Sequence, residues 1–137
     1  MNQLARAVKK LEAYPQWLLS WVIGRKVPFV GTANIRFEEM TTDRVVVSLR
    51  NKRKVRNHIH QIHAGAMILL AETATGMALG MNIPDDRIPL VKTLNTSFVK
   101  RSTGAMRAEA VFTDQQRNLL SAEKGETSIQ VIITDEA

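Results

Sequence analysis

None of the chain's 137 residues is a cysteine. That excludes disulfides, thiolate metal sites and cysteine nucleophiles. Aromatic residues make up only 5% and do not interleave with the basic ones, so a nucleic-acid surface would lack its stacking platforms. Seven glycines and four prolines are too few for a collagen-like or low-complexity chain. No apolar run approaches the roughly 18 residues of a membrane span. The stretch from Trp17 to Ile23 is short and contains Ser20, and Glu12 and Pro15 precede it, which argues against a secretory signal. The expectation is a cytoplasmic protein with no membrane segment.

What is present is ordinary globular composition, 45% hydrophobic and 23% charged, enough to build one core over a single domain, residues 1–137. Nineteen basic against 13 acidic residues give a formal charge of +6, which suits an anionic partner. Residues 3–13 place Leu4, Ala7, Val8 and Leu11 on one helical face; Pro15 ends that helix, and a second runs over about 16–24 to Gly24. Trp17, Trp21 and Phe29 are expected to pack together. Pro28 and Gly31 mark a loop. Alternation predicts strands over 33–39, 44–50, 88–100, 105–113 and 126–134, with a basic loop over 51–62 and a short helix or loop over 114–124. From His63 to about Met81 the chain reads as a long helix, apolar nearly all round and rich in small residues, hence buried. This order predicts an α+β fold, a central helix wrapped by a mostly antiparallel sheet, with a helical segment 1–31 ahead of a core at 32–137.

Glu72 is the one carboxylate in that helix. Burying it as a charge is costly, so it must be paired, protonated or set in a cleft where a ligand meets it. A structural glutamate bonded to backbone or arginine and a general base both satisfy that requirement. His58, His60 and His63 form an H-x-H-x-x-H cluster, but residues 64–68 offer no further ligand; no metal is expected, and His63 is expected to cap or pack at the helix start. The stretch RNKRKVRN supplies cations without aromatics, and no nucleic-acid partner is expected.

The stretch NHIHQIHAGAMILLAETATG resembles the hotdog-fold acyl-CoA thioesterases. Those enzymes carry an asparagine, a histidine six residues on, glycines opening the central helix, and an acid nine residues after the histidine. Asn57, His63 and Glu72 fall at these spacings. VKTLNTSFVKRSTGAMRAEA is similar to the strand–turn–strand that follows that helix. PFVGTANIRFEE and the paired N-terminal helices resemble the branch near the phenylacetate-pathway thioesterases, of the domain of unknown function 4442 type. Three positions depart from the pattern: His60 and Ala64 stand where the family has glycine, and Val91, with Thr93 two residues on, where some members hold the attacking water with serine.

The resemblance implies a hotdog fold with one further strand beyond the terminal TDEA, and hydrolysis of an acyl-CoA thioester without a cofactor. Glu72 would be base or nucleophile and Asn57 would orient water or carbonyl. The Ala64 and Gly65 amides would bind the oxyanion at the helix N-terminus, with His63 at its start. Arg56, Thr93, Lys100 and Arg101 would meet the substrate, the cations suiting coenzyme A phosphates. A non-catalytic acyl-CoA-binding module is the alternative. Ala64 and Glu72 lie about 12 Å apart along one helix, at roughly 1.5 Å per residue, too far to contact one reacting centre. The two groups must therefore come from different chains, and the expected assembly is a homodimer or a dimer of dimers with antiparallel central helices.

Overall fold

The computed structural model describes residues 1–120 and 127–136. Three helices come first: α1 (Gln3–Leu11), α2 (Gln16–Lys26) and α3 (Pro28–Ala33). Asn2 caps α1 by accepting the Ala5 N–H at 2.8 Å, while its amide donates to the carbonyls of Gly80 and Ile83, tying the N-terminus to the far end of the central helix. Pro28 opens a helix rather than a loop, because proline suits the first helical position, where no amide bond is lost. Nor does Gly24 end α2. It lies against Gly31 of α3, where a Cβ on Gly31 would fall 2.4 Å from the Gly24 carbonyl oxygen. Asn34, at φ 60°, stops α3 in a left-handed cap.

The predicted strand over 33–39 therefore begins later, as β1 (Arg36–Met40), and pairs with β2 (Arg44–Leu49). A 3-10 turn (Arg53–Val55) interrupts the loop that follows, which closes through an Arg56–Ile62 bridge. The central helix α4 (Ala64–Gly80) comes next, then β3 (Met106–Val111), α5 (Asp114–Leu120) and β4 (Val131–Thr134). The sheet order is β1-β2-β3-β4, all antiparallel. Expected strand at residue 126 and expected helix or loop at 121–124 fall outside the described residues.

α4 lies across β2, β3 and β4. Its buried residues Leu70, Ala74 and Ala78 share one core with Val45, Val47 and Leu49 of β2 and Ala108 and Ala110 of β3. Small residues on both sides bring helix and sheet close together. Thr73 is buried too, its hydroxyl returned to the Leu69 carbonyl at 2.7 Å. This is the α+β arrangement the pattern predicted, one helix against an antiparallel sheet.

Two further expectations fail. Residues 88–100 form no strand: the segment is exposed, with Ile88 82%, Leu90 83% and Val99 90% accessible. A strand needs a neighbour for its backbone, and among the described residues none of this chain's strands lies beside it. Trp17, Trp21 and Phe29 are likewise exposed rather than packed, since Trp17 and Trp21 sit one turn apart on the face of α2 away from buried Ile23. The Arg25 guanidinium stacks on Trp21 at 5.6 Å from the ring centre.

Candidate functional site

The loop from Asn57 to Gln61 is built on the Asn57 side chain. Its Oδ1 accepts the N–H groups of Ile59 at 3.0 Å and Gln61 at 3.1 Å. The Asn57 N–H donates to the Gln61 carbonyl at 2.8 Å, and the His60 N–H to the Asn57 carbonyl at 3.2 Å. The oxygen is thus spent on the loop, which leaves the side-chain NH2 as the end that can meet a ligand. His60 takes φ 62°, a left-handed conformation that explains the glycine expected there.

His63 precedes α4 in an extended conformation and caps it: Nδ1 accepts the Gly65 N–H at 2.8 Å. A neutral ring accepting at Nδ1 carries its proton on Nε2, so the outer ring edge is a donor. The N–H groups of Ala66 and Met67 both turn to the His63 carbonyl. The Ala64 N–H is left as the open donor of the first turn among the described residues. His63, Ala64 and Gly65 are all exposed.

A cavity of about 280 Å³ adjoins this helix end. One side is apolar, from Phe29, Ala33, Ala66 and Leu69; Lys54 and Arg56 bring cations to it, and His63 lines it as well. Arg56 is held in place by Asn51, its Nε donating to Oδ1 at 2.8 Å. Arg101 Nε donates to Gln61 Oε1 at 3.1 Å, which joins the turn after the exposed segment to the Asn57 loop. Lys100 pairs with Asp135 at 3.4 Å. Thr93 lies in the exposed segment and is not among the residues that line the cavity. The three histidines do not combine with other side chains into a three-ligand cluster among the described residues.

Glu72 is not on the cavity wall. It is half-buried on the face of α4 turned away from the sheet, two turns beyond the open helix end. Among the described residues no hydrogen bond or ion pair engages its carboxylate. Gly65, at seven residues' separation, shares that outer face. One chain therefore carries, apart from each other, a donor end with a cationic and apolar cavity and an unengaged acid. The cap by His63 meets the expectation for that residue, whereas the conformation of His60 was not visible in residue spacing, because it depends on backbone geometry.

The comparisons agree with this architecture. Residues 15–137 match the model of a family described as domain of unknown function (DUF4442). Among curated proteins none matches the chain. A protein of unknown function from Pseudomonas aeruginosa, described as a probable thioesterase, superposes with a TM-score of 0.77 at 27% identity, over 90% of this chain and 86% of that one. A variant of a thioesterase from Staphylococcus aureus gives 0.64 at 21% identity, over 79% of this chain and 85% of that one. Thioesterase superfamily member 2 from Mus musculus gives 0.61 at 14% identity, over 88% and 85%. The last two show the fold alone. No helix among the described residues is long and apolar enough to cross a membrane. The chain belongs to the DUF4442 family, and its fold is the hotdog fold of thioesterase-like proteins.

Proposed function

We propose that the protein hydrolyses an acyl-CoA thioester at a site shared by two copies of the chain. The observation that carries this reading is the Glu72 carboxylate, half-buried and unengaged in an otherwise apolar helix. A stability-driven helix would not keep an acid there without a partner.

In the proposed dimer the α4 helices run antiparallel, so that Glu72 of one copy meets the helix end of the other. The thioester carbonyl oxygen accepts from the Ala64 N–H, where the helix dipole also favours developing negative charge. The His63 Nε2–H and the Asn57 NH2 are the further donors at this end. The Gly65 N–H joins them only if the His63 ring leaves it, since Nδ1 now occupies that donor. Glu72 takes a proton from water as the water attacks and passes it to the departing sulfur, or attacks the carbonyl itself to form an acyl–glutamyl anhydride that water then hydrolyses, solvent protonating the sulfur. The carbon–sulfur bond breaks and coenzyme A leaves as the thiol. The acyl group lies on the apolar wall by Phe29 and Leu69, and Lys54, Arg56, Lys100 and Arg101 supply positive charge for the nucleotide phosphates. No cofactor enters this scheme.

The experiment is thiol release from acyl-CoA esters, short aliphatic to aromatic. The expected result is turnover of at least one class by the wild type, and a loss of about 10²–10⁴-fold in Glu72→Ala with ester binding kept. A wild type that binds the esters and cleaves none would establish the non-catalytic binding module instead.

A further inference from the structure

We infer that Gly76 is a positioning residue for the Glu72 carboxylate, a claim that rests on Glu72 being the reacting acid. Glycine is a poor helix former, and Gly76 lies well inside α4. The two usual reasons for such a glycine do not apply. Its φ is not positive, since Gly104 is the positive-φ glycine of the described residues. Nor does another element of the same chain crowd it. Apart from the helix's own backbone, a Cβ at position 76 would have only Glu72 within 4 Å, with Oε1 at 3.3 Å and Cδ at 3.9 Å. Gly31 against the Gly24 carbonyl and Gly80 against Leu4 show the contrast, for each faces a neighbouring element.

Residues four apart share one helix face. The Glu72 side chain runs along that face and its carboxylate rests over the bare backbone at 76. Among the described residues it has no hydrogen bond to hold it there. The room left by the missing methyl is what sets its place. An alanine would put carbon 3.3 Å from Oε1, tighter than ordinary contact, and the carboxylate, at the far end of its side chain, would be the group to yield.

The prediction separates a positioning glycine from a packing one. In Gly76→Ala the better helix former should raise the melting temperature by about 2–4 °C. A displacement of a few tenths of an ångström should lower kcat by about 3–10-fold, with KM altered less than about twofold. In a Glu72→Asp background the shorter side chain no longer reaches position 76, so adding Gly76→Ala should change kcat by less than about twofold. A readout independent of turnover is the 13C shift of the Glu72 carboxyl in glutamate-labelled protein, assigned with Glu72→Gln, which should move in Gly76→Ala. Wild-type kcat with an unmoved carboxyl shift overturns the inference. So does a lowered melting temperature, which would mean that Gly76 admits another backbone, or an equal kcat loss in both backgrounds. If the wild type is inert or Glu72→Ala is fully active, the hydrolase reading falls, and the 13C shift still decides whether Gly76 sets the carboxylate's place.

Discussion

His60 holds the backbone at φ 62° without being glycine. An L side chain there costs about 1–2 kcal/mol, against which glycine's extra freedom in the unfolded chain costs roughly 0.5–1 kcal/mol. His60→Gly should therefore stabilise the protein by about 0.5–1 kcal/mol in urea unfolding. The hydrogen bond from the N–H at position 60 to the Asn57 carbonyl does not involve the side chain and should persist. On the sheet's outer face, Arg44 binds Glu39 and, at 2.8 Å, Glu109, spanning three strands. The hydrogen bond from Arg44, aided by the charges of Arg44 and Arg107 against a smaller cost of burial, holds the Glu109 carboxyl below its ordinary 4.5. A lowered folded-state value means stability that is present above about 4.5 and lost as pH falls through the lowered value. Thermal unfolding of Glu109→Gln should show a shallower loss of stability below pH 4.5 than the wild type, with little change in slope above it. A steeper acid loss in the variant would contradict this pairing.

Among the elements, the contact of α2 with α3 is the most exacting. Gly31→Ala would place a methyl 2.4 Å from the Gly24 carbonyl oxygen, and both partners are backbone, so the helices must separate. The expected cost is about 1–3 kcal/mol, read as a lower urea midpoint at unchanged slope. Because Phe29 and Ala33 of α3 line the cavity, weaker ester binding should accompany it. This contact also shows why the sequence misled at Pro28–Ala33. Proline and glycine read as breakers, but here one begins a helix and the other makes room for a neighbour that no local pattern reveals. The central helix was legible to within a residue at each end, since an apolar and small-residue run bounded by His63 needs burial on all sides. Glu72 was legible for the same reason, as the one charge breaking that run. Residues 88–100 have strand-like residues but no strand, for alternation reports a preference while pairing requires a partner. A capping role for His63 was legible from its place before the helix, but the Asn57 Oδ1 bonds and the ring nitrogen that makes the cap were not, because spacing fixes neither a rotamer nor a tautomer.

At the scale of the whole molecule, one chain leaves much apolar surface uncovered: Ile88, Leu90 and Val99 in the exposed segment. An exposed apolar stretch outside the sheet is a surface that another copy can complete by strand addition. A shared site makes a prediction that no single-chain mechanism can meet. Ala64→Pro removes the open N–H at the first helical position, where proline is tolerated, and His63 already has the extended ψ of 143° that a following proline requires. Ala64→Pro and Glu72→Ala dimers should each be nearly inactive. After the two are unfolded together in equal amounts and refolded, half the dimers are mixed. Each mixed dimer joins the intact Glu72 of one copy to the intact Ala64 N–H of the other at one of its two sites. Thiol release should return to about a quarter of the wild-type rate, the statistical share of restored sites in a two-fold assembly. Recovery must also vanish when Val99→Lys is placed in both chains, because charge on the pairing stretch opposes dimer formation. Two inactive variants that stay inactive when mixed, despite an exchange of subunits seen by mass spectrometry, would mean that acid and donor do not meet across an interface.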